Sequence, residues 1–272
     1  MPPPWPPRSD DQALSHQVLG AEDGQAKEAT GASGMGYVVA EAEVPAVLKA
    51  PSPAPEPIPA RVVPHDTRFG QLLEKFRDCE IREGGKMQDV ILDKFFEACE
   101  LYRDMLSKLG RAASVVVGDI EHNLGKSKAV YLEAPEERKT FTAYLQLPAS
   151  HLGIEKITWL LRGVEFFLTM IKLIFTPESG GNPAVEAYQQ TLMQYHGWML
   201  QQTVKLGMRA MPSKEGIVQS EGLVLGDGDA SPEQRKALCE RDAPPASAAG
   251  IEVVKWMIEL MKIEGKWDAK KA

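Results

Sequence analysis

The sequence predicts an all-α protein of layered helices, and three observations carry that prediction. After residue 65, apolar residues recur at three- and four-residue intervals through most of the chain. Alternation with period two, the mark of half-buried strands, is scarce. One run, ITWLLRGVEFFLTMIKLIF at 157–175, is apolar nearly all round, so as a helix it must be covered by others on most sides.

Residues 1–64 stand apart from this pattern. They hold 12 of the 20 prolines, in stretches such as MPPPWPP and APSPAPEPIPA, with Trp5 and Tyr37 as their only aromatics. Such a segment has little apolar surface to offset chain entropy and is read as a Pro-rich disordered tail. It has no apolar signal-peptide core, and its eight acids against four bases are not the composition of an organelle transit peptide. Its prolines suit a plain spacer, or a ligand for an adaptor domain.

The remaining 65–272 read as one helical domain. From RFGQLLEKFRD onward the pattern is helical, and helices are expected within 89–109, 112–132, 136–147, 152–175, 184–211 and 247–264. LPAS at 147–150 and TPESGGNP at 176–183 supply proline and glycine stops, and SPEQ at 231–234 starts a helix with a serine cap and proline at its first position. The run 157–175 is long enough to span a bilayer, but Arg162, Glu165 and Lys172 would then meet lipid. A central helix of a soluble core is the better reading.

Composition narrows the function classes. Of 272 residues 43% are hydrophobic and 25% charged, as in an ordinary globular protein, and 31 bases against 38 acids give a net charge of -7, which argues against a general nucleic-acid binder. The three cysteines, Cys79, Cys99 and Cys239, are odd in number and far apart, without disulfide or zinc-ligand spacing. A reducing, cytoplasmic setting follows.

Three mixed polar and apolar stretches concentrate the chemistry. DIEHNLGK at 119–126 puts Asp119, Asn123 and Lys126 on one helix face, within an otherwise apolar run. They read either as a polar row at the edge of a core or as two solvated charges flanking an amide. WLLRG at 159–163 puts Trp159 a turn before Arg162, and YHGWM at 195–199 puts His196 in an expected helix. Gly163 and Gly197 fall mid-helix on this reading and mark close helix crossings. Taken singly, Trp159 and His196 also read as core residues.

In this order and spacing, with KSKAVYLEAPEERKTF following the row, the three stretches resemble the glycolipid transfer protein family from about residue 85 to 218. The resemblance implies a two-layer sandwich of about eight helices, with lipid chains between the layers and the headgroup at the surface. It implies headgroup roles for five residues. Asp119 would accept from the lipid's amide N–H and a sugar hydroxyl, and His196 would donate to the amide carbonyl. Asn123 and Lys126 would bond sugar hydroxyls, and Trp159 would offer its flat face to the hexose.

In the ceramide-1-phosphate branch the resemblance leads one to expect a lysine in place of Asn123 and arginines near the tryptophan. Here Glu155 and Trp159 stand there instead, so the glycosphingolipid branch is favoured. Val115, Ile120, Leu161, Phe166, Phe167, Met170, Ile174, Met193 and Leu200 suit either the lining of a chain tunnel or a plain core. Trp198 would dock on membranes or pack between helices. The family's C-terminal aromatic has only a loose counterpart in Trp267, and EGLVLGDGDAS at 221–231 is a longer loop than the family needs.

KFFEACE at 94–100 resembles the two-phenylalanine acidic motif that binds an endoplasmic-reticulum tether, through Phe95, Phe96 and Glu97, provided that it is extended and exposed. No nucleophile elbow, phosphate-cradling loop or metal spacing points to an enzyme, and no cofactor is implied. The expectation is a cytoplasmic, transiently membrane-associated carrier of simple glycosphingolipids. The alternatives are a ceramide-1-phosphate carrier, or a glycolipid sensor that signals through its tail.

Overall fold

The computed structural model describes residues 66–268 except 110–112, 177–180, 210, 221 and 226–229. The expectations for 1–64 and for the side chain of Val115 lie outside the described residues.

The described chain is helical and layered. Its helices are α1 (Arg68–Asp78), α2 (Leu92–Ser107), α3 (Ser114–Leu132), the single turn α4 (Phe141–Tyr144), α5 (Leu152–Ile174), α6 (Pro183–Gln190), α7 (Trp198–Arg209), α8 (Lys214–Val218) and α9 (Pro232–Ile263). The apolar run at 157–175 forms all of α5 after its first five residues, with Phe175 as its C-cap, and α5 packs against α3, α6 and α9. Fifteen of the 23 residues of α5 are buried, which is why it is apolar nearly all round. α1 joins α9 to α2, and α2 in turn packs on α3.

Three details differ from the sequence reading. First, an antiparallel hairpin of β1 (Glu80–Glu83) and β2 (Lys86–Val90) sits between α1 and α2. Its turn is Gly84-Gly85, with φ of 56° and 78°, the left-handed pair that a two-residue hairpin requires and that glycine supplies without strain. Most of the hairpin is exposed, so no strong alternation marks it in the sequence.

Second, the helix expected over 184–211 breaks. α6 ends at Gln190, Leu192–Tyr195 form a 3-10 turn, and His196 is extended with φ -100° and ψ 139°. His196 and Gly197 therefore form a linker, and Gly197 marks no mid-helix crossing. At Gly163 a Cβ would meet Ile120 of α3 at 3.6 Å, an ordinary contact, so the crossing there does not require glycine either.

Third, α9 is one helix of 32 residues that runs through Pro244 and Pro245. The two missing N–H groups leave the carbonyls of Glu240 and Arg241 without helical partners. Both residues are exposed, where water can reach the freed carbonyls, and the helix continues. The start at Ser231 follows expectation: its hydroxyl accepts from the Gln234 N–H, and the Gln234 side chain accepts from the Ser231 N–H.

The tether motif needs correction. Phe95 and Phe96 are 0% and 1% exposed inside α2, and Glu97 pairs with Lys75 at 2.7 Å and Lys94 at 2.8 Å. The phenylalanines belong to the core, so the segment is neither extended nor exposed, and the tether reading falls.

Candidate functional site

A cavity of about 400 Å³ opens between α3, α5 and α7. α3 lends it Val116, Asp119, Ile120, His122 and Asn123, four of them on successive turns or beside them. α5 lends Lys156, Trp159 and Gly163, which share a face at three- and four-residue spacing. α7 closes the cavity with Leu200, Val204 and Met208, again one turn apart, and Leu192 and His196 come from the broken segment between α6 and α7.

Four of the five expected headgroup residues meet here: Asp119, Asn123, Trp159 and His196. Lys126 lies a turn further along α3, exposed and outside the lining. Asn123 is 3% exposed, and its amide nitrogen donates to the Asp119 carbonyl oxygen at 2.9 Å. Its amide also bonds the Asp119 carboxylate, which leaves its carbonyl oxygen as the acceptor it can offer a ligand. Asp119 is open to solvent as a residue, yet protein crowds its carboxyl. Desolvation raises its pKa, opposed by the Asn123 amide and by the charges of His122 and Lys156.

His196 is held from several sides. The Gln201 side chain of α7 donates to the carbonyls of Met193 and His196, both at 2.9 Å, which ties the linker to α7. Nδ1 of His196 lies 2.9 Å from the hydroxyl oxygen of Tyr188 in α6. The imidazole lies nearly parallel to the Trp159 indole, with centroids 6.1 Å apart. Burial, helped by the Arg162 charge, lowers the imidazole pKa.

Behind Trp159 stands a group that the sequence reading took only as a charge unsuited to lipid. Arg162 is 2% exposed, and its guanidinium lies 4.4 Å from the Trp159 ring centroid, 3.8 Å from that of Tyr195 and 5.1 Å from that of Trp267. It also donates to the carbonyl of Asp268. The C-terminal segment thus reaches the site through Arg162, and Trp267 packs edge-on against Tyr195. Burial lowers the guanidinium pKa, and the three rings supply the electron-rich surroundings in which a buried cation persists.

The chain-lining candidates divide. Ile120 and Leu200 line the cavity. Leu161, Phe166 and Phe167 are buried in the core, where Phe167 stacks on Tyr102 at 5.1 Å. Met170 and Ile174 line a second cavity of about 450 Å³ near Met211 and Ile217. Met193 is half-buried against the core. Trp198 is 74% exposed. Lys156, His122 and Tyr188 were missed by sequence reasoning. Lys156 had a visible signal, since it precedes Trp159 by three residues.

A helical sandwich with an apolar cavity and a cluster of carboxylate, amide, imidazole and indole at its edge has the chemistry that an amphiphilic ligand would match. The family model described as "Glycolipid transfer protein (GLTP)" matches residues 90–222, and over that stretch the chain is similar to this family. It is 21% identical over 173 residues to Glycolipid transfer protein 1 of Arabidopsis thaliana, covering 59% of this chain and 84% of that one. It is 29% identical over 190 residues to Pleckstrin homology domain-containing family A member 8 of Danio rerio, covering 65% of this chain but spanning only 33% of that longer protein. The GLTP fold of FAPP2, described as selecting simple glycosphingolipids, superposes with a TM-score of 0.66 at 22% identity, over 76% of this chain and 100% of that one. The fold is shared. Among the described residues no helix is long and apolar enough to cross a membrane, and no cluster of three or more His, Cys, Asp or Glu is placed to hold a metal ion.

Proposed function

We propose that the protein moves simple glycosphingolipids, such as galactosyl- or glucosylceramide, between membranes without chemical conversion. The observation that carries this reading is the convergence of Asp119, Asn123, Trp159 and His196 on one cavity with apolar walls. A ceramide amide buried without partners would cost several kcal/mol. Asp119 accepts from its N–H and His196 donates to its carbonyl. Asn123 accepts from a sugar hydroxyl through its carbonyl oxygen, Lys126 meets the sugar from outside, and Trp159 supplies a flat apolar face. The chains enter past Ile120 and Leu200.

Charge supports a neutral headgroup. The cavity holds one acid, Asp119, and one permanent cation, Lys156, whose ammonium lies 2.8 Å from the Glu155 carboxylate. A phosphate monoester would meet the Asp119 carboxylate and a lining lysine already paired with Glu155. On the outer face of α7, Trp198 and Met199, 74% and 77% exposed, touch the membrane surface during exchange.

The test is fluorescence-monitored transfer between vesicles of labelled galactosylceramide and labelled ceramide-1-phosphate, side by side, with wild type and Trp159→Ala. The glycolipid should move and the phosphate lipid should not. Trp159→Ala should abolish transfer while helical circular dichroism and melting stay near wild type. Transfer of ceramide-1-phosphate alone would move the protein to the other branch, and tight binding with negligible transfer would make it a sensor.

A further inference from the structure

We propose that Tyr188 is a positioning residue for this site: its buried hydroxyl donates to Nδ1 of His196 and fixes the imidazole as the Nε2–H tautomer. That tautomer presents a donor to the lipid's amide carbonyl. The functional consequence rests on the reading of His196 as that donor, whereas the tautomer itself rests on geometry alone.

A neutral imidazole carries one N–H, and which nitrogen bears it is set by the partner of the other. Tyr188 is 0% exposed, and among the described residues Nδ1 of His196, at 2.9 Å, is the hydrogen-bond partner of its hydroxyl. Were Nδ1 to carry the proton and donate to the Tyr188 oxygen, the phenolic proton would be buried with nothing to accept it. The arrangement that satisfies both groups has Tyr188 donating and Nδ1 accepting. The proton of the imidazole then sits on Nε2, the nitrogen left for a ligand in the cavity that His196 lines.

Both groups hold the charge state that this needs. Burial pushes the Tyr188 phenol up to about 12, so it keeps its proton at neutral pH. Burial and the Arg162 charge push His196 down, so it stays uncharged there. The ring has little freedom to turn. Gln201 holds its backbone carbonyl, Tyr188 packs at 5.6 Å between centroids, and Trp159 lies alongside at 6.1 Å.

The experiment uses the full chain, labelled with nitrogen-15. Long-range proton–nitrogen NMR reads the two imidazole nitrogens, with His196→Gln assigning the signals. Wild type should show Nδ1 as the unprotonated nitrogen and Nε2 as the protonated one, and this measurement needs no Tyr188 variant to fold. Nδ1–H in wild type overturns the proposal whatever the protein binds. In Tyr188→Phe the two nitrogens should shift towards averaged values, and the affinity for short-chain galactosylceramide should fall by at least about twofold, the penalty for a ring that spends half its time in the wrong form. Averaging without loss of affinity overturns the positioning role. If His196→Ala also binds as wild type does, the fault lies in the reading of His196 as donor and not in the tautomer.

Discussion

Crowding and ligand chemistry act on the Asp119 proton in opposite directions. Desolvation raises its pKa in the protein alone, with Asn123, His122 and Lys156 opposing it. A sphingolipid brings N–H and O–H donors, which favour the ionised carboxylate and lower the pKa again. A carboxyl whose pKa falls on binding releases its proton to the ligand's benefit. Affinity should therefore hold above the raised pKa and decline as pH falls through it, approaching about tenfold per pH unit below. Titrating galactosylceramide affinity against falling pH checks this, with Asp119→Asn as control. The variant should bind weakly with no such slope, and a slope that survives in it belongs to His196. At this scale the sequence told much. Asp119 and Asn123 were legible as neighbours because helical spacing aligns them on α3, whereas Trp159, on α5, joined them only through the family resemblance. Tyr188 was not legible. In an unbroken helix, residues eight apart lie about 12 Å apart along the axis, too far to bond, and only the break at 191–197 brings Tyr188 to His196.

Helix cores were legible and helix ends were not, for reasons visible in particular elements. Periodicity located α2, α3 and α5 because each buries a broad apolar face, and it carried on through Leu192 and Met193, which are half-buried although no longer in a helix. The helix expected within 247–264 is only the second half of α9, which runs on through Pro244 and Pro245 because the hydrogen bonds they remove fall at exposed residues. Packing in α9 is least forgiving at Gly250. A Cβ there would lie 2.6 Å from Cε2 of Phe76 in α1 and 2.7 Å from Cδ1 of Leu168 in α5. Both side chains are buried, at 0% and 1% exposure, and have nowhere to move. Gly250→Ala should therefore destabilise by about 1–3 kcal/mol from overpacking, outweighing the ~1 kcal/mol that alanine gains over glycine in a helix. Urea unfolding should show a lower midpoint at unchanged slope. A higher midpoint would mean that α1, α5 and α9 can spread without cost.

For the molecule as a whole, the sequence indicated layered helices around α5, but it could not separate a lipid cavity from a core, since both are apolar with the same period. The structure separates them through α7. Leu200, Val204 and Met208 line the cavity from one side of this helix, while Trp198, Met199 and Leu206, 74%, 77% and 67% exposed, lie on the other. One helix thus forms both the cavity wall and an apolar outer surface, and Lys205 and Arg209 add positive charge beside it. On the transfer reading proposed above, membrane contact by α7 would be linked to opening of the cavity, because movement of this helix into a bilayer would draw the wall away from α3 and α5. The outer side chains should then govern encounter with vesicles and not recognition of the headgroup. Replacing Trp198 and Met199 together by serine should lower partitioning onto vesicles by at least about tenfold, given ~1.5–3 kcal/mol for each large apolar side chain fully buried. Transfer should slow in step, while affinity for short-chain galactosylceramide in buffer stays within about twofold of wild type. Co-sedimentation, transfer and solution binding measured on the same preparation separate the two roles. If solution binding falls as far as partitioning, these side chains support the cavity itself, and the membrane surface must be sought on another helix.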